Sequence, residues 1–187
     1  MKKLITIYLL LATAFTVSGQ TKKPTKDETI AYLDKIVKMS IGYKTYAVGG
    51  DGNGEEHRVD EYLITSYSFN ESKVEMTSNI KEYKTNISGI HVLGFSNLNW
   101  ANVTAIKINS LTEVEFKLRN DSLFRDEELE EFAIRFSSKI MMNSGDKIYP
   151  RIDLILSVLK TKTESFKKAI ERLVEIAKEE DKDPFKN

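Results

Sequence analysis

Val103-Thr104-Ala105-Ile106-Lys107-Ile108, then Asn109-Ser110, then Thr112-Glu113-Val114-Glu115-Phe116-Lys117-Leu118-Arg119 reads as strand, turn and strand. In the second segment Val114, Phe116 and Leu118 point one way, and Glu113, Glu115, Lys117 and Arg119 the other. Successive side chains on a strand face opposite sides, so the segment belongs to a sheet with one apolar and one wet face. Such a sheet is antiparallel, because parallel sheets are covered on both sides. In the first segment Thr104, Ile106 and Ile108 are expected on one face.

The same period recurs elsewhere. After a second turn signal, Asn120-Asp121, residues Phe132, Ile134 and Phe136 alternate with Glu131, Ala133 and Arg135. Tyr62 to Phe69 is rich in aromatic and β-branched residues, and weaker strands are expected around Val74-Met76 and Tyr83-Ile87. Ile152 to Leu159 fits a buried strand or a short helix, and periodicity alone does not separate the two. Asp126 to Glu131 reads as a charged loop between strands.

Helices flank this β-rich middle. Thr25-Lys26-Asp27-Glu28 has the form of a capping box, and Ile30, Leu33, Ile36 and Val37 follow at helical spacing, ending before Gly42. Thr161-Lys162-Thr163-Glu164 has the same form, and Phe166, Ile170, Leu173 and Ala177, widened by Ala169 and Val174, make an apolar stripe. Asp183-Pro184 ends it. The expected fold is therefore α+β: an N-terminal helix, a curved antiparallel sheet or partly open barrel of about six to eight strands, and a long C-terminal amphipathic helix. No Gly/Ser/Pro-rich linker divides the chain, so residues 25–180 form one domain and 181–187 a tail.

The first residues read as an export signal. Lys2-Lys3 precedes the uncharged run Leu4 to Val17, and Val17-Ser18-Gly19 offers a cleavage site before Gln20. A helix of that run spans about 21 Å, short of a hydrocarbon core of about 30 Å. Residues 1–19 are thus expected to be removed, with 20–24 a flexible new terminus. Removing the first 19 of 187 residues leaves 168, with 26 basic and 28 acidic side chains and a net charge of −2. No cysteine follows for lipid attachment, so the product is expected to be periplasmic or secreted. Asn70, Asn86, Asn102 and Asn120 each open an Asn-x-Ser/Thr sequon, which a chain rich in Asn, Ser and Thr forms by chance.

Composition excludes several classes. With no Cys there is no disulfide framework, thiolate metal site or cysteine nucleophile. The full chain's 28 basic and 28 acidic residues argue against a dedicated nucleic-acid binder. Gly49-Gly50-Asp51-Gly52-Asn53-Gly54 lacks the Gly-Lys-Ser/Thr of a phosphate loop. As a calcium loop it starts well with Asp51, Asn53 and Glu55, then places Glu56 where Gly belongs and Tyr62 where the bidentate Glu belongs. It reads as a hairpin loop. His57 sits among Glu55, Glu56, Asp60 and Glu61, a solvated acidic loop; His91 lies in an apolar run. Ser96 resembles a nucleophile elbow until Leu98 replaces the second glycine. Phe116, Phe132 and Phe136 are expected in the core, whereas Tyr43, Tyr46, Tyr62 and Tyr67 suit half-exposed faces, and Trp100 could line a pocket. No catalytic, cofactor or metal residues are assigned.

The opening Thr25-Lys26-Asp27-Glu28-Thr29-Ile30-Ala31-Tyr32-Leu33, the strands, and the helix before Asp183-Pro184-Phe185 make the chain similar to small bacterial exported proteins. The order of strands then helix resembles the pleckstrin-homology-like fold, with an added N-terminal helix. That resemblance implies binding of peptides, proteins or lipid headgroups and supplies no site residue. The expected function is a non-enzymatic binding module of the bacterial envelope, for a protein, a peptide or an apolar small ligand. Alternatives are an immunity or inhibitor protein against a toxic enzyme and a carboxylate-based hydrolase.

Overall fold

The structure, a computed structural model, describes residues 23–50, 57–82, 88–109 and 128–182. The order is α1 (Lys26–Lys38), β1 (Lys44–Gly50), β2 (His57–Phe69), β3 (Lys73–Glu82), β4 (Ser88–Ser96), β5 (Val103–Asn109), β6 (Leu129–Ser144), β7 (Lys147–Leu159) and α2 (Thr163–Asp181). This is the expected α+β fold: among the described residues, one helix, an open antiparallel sheet of seven strands, and a long closing helix. The export segment, the strands at 83–87 and 112–119 with Phe116, the turn at 120–121 and the loop at 51–56 lie outside the described residues.

α1 begins as its sequence dictates. The Glu28 N–H donates to Thr25 Oγ1 at 3.3 Å, and the Thr25 N–H donates to the Glu28 carboxylate at 2.8 Å. Leu33, Ile36 and Val37 are buried. The chain then reverses through Gly42 at φ +90°, a left-handed conformation that costs a side chain-bearing residue about 1–2 kcal/mol. That turn brings the Gly42 N–H onto the Ile64 carbonyl at 2.9 Å and so ties α1 to β2. Gly42→Ala is expected to lower stability by about that amount, read as a lower urea midpoint at unchanged slope.

β1 to β4 form a meander, and β4 then pairs with β6 rather than with β5. β7 pairs with β6 from Leu129 to Ser144 along one edge. β4 and β5 share the other edge end to end: Ser96 lies opposite Met141, and Val103 opposite Phe136. Between them the chain makes a 3-10 turn, Trp100–Asn102, that buries Trp100. The Trp100 indole N–H donates to the Glu71 carbonyl at 2.6 Å, and its ring lies 5.4 Å from Phe69 and 5.7 Å from Phe136. The tryptophan is thus a core residue rather than a pocket wall.

Several sequence expectations change. Thr104 does not share a face with Ile106 and Ile108. Pairing slips between Val103 and Ala105, which makes Thr104 the extra residue of a bulge and turns it outward. Val103, Ile106 and Ile108 face the core instead. Ile152 to Leu159 is strand, because β6 pairs with it from Asp153 to Leu159; Leu154, Leu156 and Val158 alternate inward against Ile134, Phe132 and Glu130. Leu129 already opens β6, so Glu130 and Glu131 are strand residues and not loop. Thr161 does not cap α2. The Lys160 N–H still bonds the Glu128 carbonyl at 2.9 Å, so the chain leaves the sheet too late. Lys160–Lys162 makes a 3-10 turn, the helix starts at Thr163, and the Thr163 hydroxyl donates to the Glu130 carboxylate. The α2 stripe itself is as expected, with Phe166, Ile170 and Leu173 wholly buried.

Candidate functional site

A cavity of about 230 Å³ lies between the β2–β4 face and the β6–β7 pair, with Thr45 of β1 on its wall. Its apolar wall is Val74, Met76, Leu93, Phe95, Ile155 and Leu156; Thr45, Tyr62, Tyr67, His91, Glu131 and Ser157 supply the polar groups. Register explains the wall. Val74 lies opposite Phe95 and Met76 opposite Leu93, so the two-residue period of β4 carries His91 onto the same face.

β7 is held across the cavity at Ser157. The Ser40 hydroxyl donates to the Ser157 carbonyl at 3.4 Å, and the Tyr67 hydroxyl is hydrogen-bonded to the Ser157 backbone. Tyr67 is 2% exposed, so this tyrosine belongs to the core and not to a half-exposed face. Burial pushes its phenol pKa well above the ordinary value, against the smaller opposing effect of the Ser157 bond. Its folded-state pKa is raised, so its contribution is complete below about pH 10 and declines above it, as the unfolded phenol ionises first. Tyr67→Phe is expected to flatten the alkaline loss of stability, measured by urea unfolding between neutral pH and pH 11.

His91 is the polar centre. Its Nε2 lies 2.9 Å from Ser144 Oγ, and the Tyr62 ring meets it edge-on at 5.5 Å. Among the described residues its buried Nδ1 has no hydrogen-bond partner, nor does the buried Oγ of Ser78, directly opposite in register. Burial pushes the imidazole pKa down, and the nearby Asp60 charge opposes that only in part. The ring is therefore neutral at neutral pH, with an unperturbed value near 6.5 as the upper reference. Asp60 and Glu61 are themselves buried on β2; the Tyr62 hydroxyl donates to Asp60 at 3.5 Å and Lys44 pairs with Glu61 at 3.1 Å.

The His91–Ser144 contact has the form of a base beside a hydroxyl. Nucleophilic catalysis also needs a group that fixes the imidazole through its second nitrogen, and Nδ1 carries none among the described residues. Ser96 is not brought to His91: five residues along one strand put them about 17 Å apart on opposite faces. Backbone pairing sets His57 opposite Gly50, and its side chain lies outside the described residues, as does that of Tyr46. Tyr62 lines the cavity, and Tyr43 is exposed. Among the described residues no three His, Asp or Glu side chains converge on one point.

Two other surfaces stand out. Ile90 (76% exposed), Val92 and Ile148 (64%) lie near the β6–β7 hairpin, where the Gly145 N–H bonds the Val92 carbonyl. An open groove between α1 and α2 is lined by Tyr32, Ala169 and Arg172. No helix among the described residues is long and apolar enough to cross a membrane. Neither the protein-family models nor the curated proteins or solved structures include a match to this chain.

Proposed function

We propose that the protein is an exported, non-enzymatic binding module that holds a small apolar ligand in the cavity beside His91. The observation that carries this reading is the wall of Val74, Met76, Leu93, Phe95, Ile155 and Leu156 around a space of about 230 Å³. Concave apolar sites with few polar groups are the usual form of small-molecule sites. A dry cavity of about 150 Å³ takes a benzene-sized guest, so this one suits about nine heavy atoms. Lys2-Lys3 and the apolar run to Val17 support export.

A protein partner is the second reading, favoured by the exposed Ile90, Val92 and Ile148. Uptake of a peptide strand along β7 is disfavoured. Pro150 has no N–H to offer, Lys147 and Arg151 charge that strand, and the Ser157 backbone is already bonded.

Native mass spectrometry of the mature chain, purified without denaturant, tests the small-ligand reading. An added mass that organic solvent strips away supports it. A bare mass, with no uptake of small apolar probes, turns the assignment to a protein partner.

A further inference from the structure

The outer half of the β6–β7 hairpin, residues 141–152, contains no buried residue. Met142 packs against the core from one side, whereas Ile148, Tyr149 and Ile152 are exposed. Asn143 pairs with Ile148 on one side and with Gly94 on the other, and a Cβ on Gly94 would lie 3.8 Å from that of Asn143. Gly94 bears no side chain, so the exposed Val92 and Ile90, two and four residues back on β4, extend the Ile148 surface. A contiguous exposed apolar surface marks a place of contact. The charge around it is one-sided. Lys139 and Arg151 share a recess with Ile152, and Lys147 opens β7. Asp153, in the same recess, is held by Arg135 at 2.8 Å, and Glu75, beside Gly94, by Lys73 at 2.5 Å. Asp146 at the turn is the one carboxylate within 141–152.

We propose that this face docks on the surface of an anionic phospholipid bilayer, with Ile148 and Ile152 entering the headgroup layer and Lys139, Lys147 and Arg151 on the lipid phosphates. Apolar side chains flanked by basic ones supply both parts of such binding, buried apolar area and attraction to anionic lipid. Tyr149 adds a ring of the kind that sits at headgroup level. A second copy of the chain on this face would bring like charges together. None of these residues lines the cavity beside His91, so the face and the cavity can be occupied independently.

The test is sedimentation of the mature chain with vesicles. Binding to equal parts phosphatidylcholine and phosphatidylglycerol is expected to be at least about tenfold tighter than to phosphatidylcholine alone, and to weaken as salt rises. Combining Lys147→Gln with Arg151→Gln is expected to cost about 25-fold, each cation being worth about fivefold near an anionic surface. Combining Lys35→Gln on α1 with Lys182→Gln after α2 removes the same charge elsewhere and is expected to leave binding within about twofold. Near-ultraviolet circular dichroism checks that each variant is folded. In Ile148→Trp the emission is expected to shift to the blue with the anionic vesicles, read against the wild type, whose one tryptophan, Trp100, is buried in the core. Absence of sedimentation, equal binding to both vesicle types, equal loss in the two double variants, or an unshifted Ile148→Trp emission overturns the membrane assignment and leaves the face to an acidic protein partner.

Discussion

Phe132→Ala is expected to destabilise the protein by about 3–5 kcal/mol, a large part of the 5–15 kcal/mol that holds a typical domain together. Phe132 is fully buried and points from β6 toward α2, where its ring meets Phe166 edge-on at 4.9 Å. Its strand neighbours are Leu156 on β7 and Ile108 on β5. Those neighbours are fixed by sheet hydrogen bonds and cannot close on the space left behind, so the cavity term adds to the transfer term. Urea unfolding should show a markedly lower midpoint with the slope kept. A loss below about 1 kcal/mol would mean that α2 does not seat on this strand.

Leu93→Trp is expected to abolish binding of small apolar probes, by about a hundredfold or more, while the chain still folds. Leu93 is half-buried on the cavity wall, opposite Met76, with the open space in front of it. The larger ring has room to grow into that space, so the strain stays within the roughly 1–3 kcal/mol typical of overpacking. Calorimetry with toluene reads binding, and near-ultraviolet circular dichroism reports the fold. Undiminished toluene affinity in a folded Leu93→Trp chain would place the guest elsewhere.

What could be read in the sequence was local. The capping box Thr25–Glu28 closes on itself within one turn, and Phe132, Ile134 and Phe136 declare their face by alternation alone. Both needed only neighbours along the chain. Thr104 departs from the local pattern because the bulge that turns it outward belongs to the pairing with Arg135 and Phe136, about thirty residues away. The start of α2 lies past the Thr161 capping pattern because the Lys160 N–H still bonds the Glu128 carbonyl. Ile152 to Leu159 was undecidable until β6 offered an edge to pair with.

The site was less legible than the fold for the same reason. His91 is one of only 2 histidines, yet its apolar context in the sequence is that of an ordinary strand residue. Its partner Ser144 is 53 residues distant and sits in a plain hairpin sequence, Asn143-Ser144-Gly145-Asp146. Ser78 and Met76 carry no motif at all. A cavity is made by what the strands fail to fill between them, and a missing volume leaves no pattern in the order of residues.

The most direct test of the ligand site is a toluene titration of the uniformly ¹⁵N,¹³C-labelled mature chain, followed residue by residue by NMR. Saturable shifts centred on the methyl groups of Met76, Leu93 and Ile155 and on the Phe95 ring are expected. Shifts confined to Ile90, Val92 and Ile148, or to the groove beside Tyr32 and Arg172, would contradict that expectation, as would a spectrum that does not change.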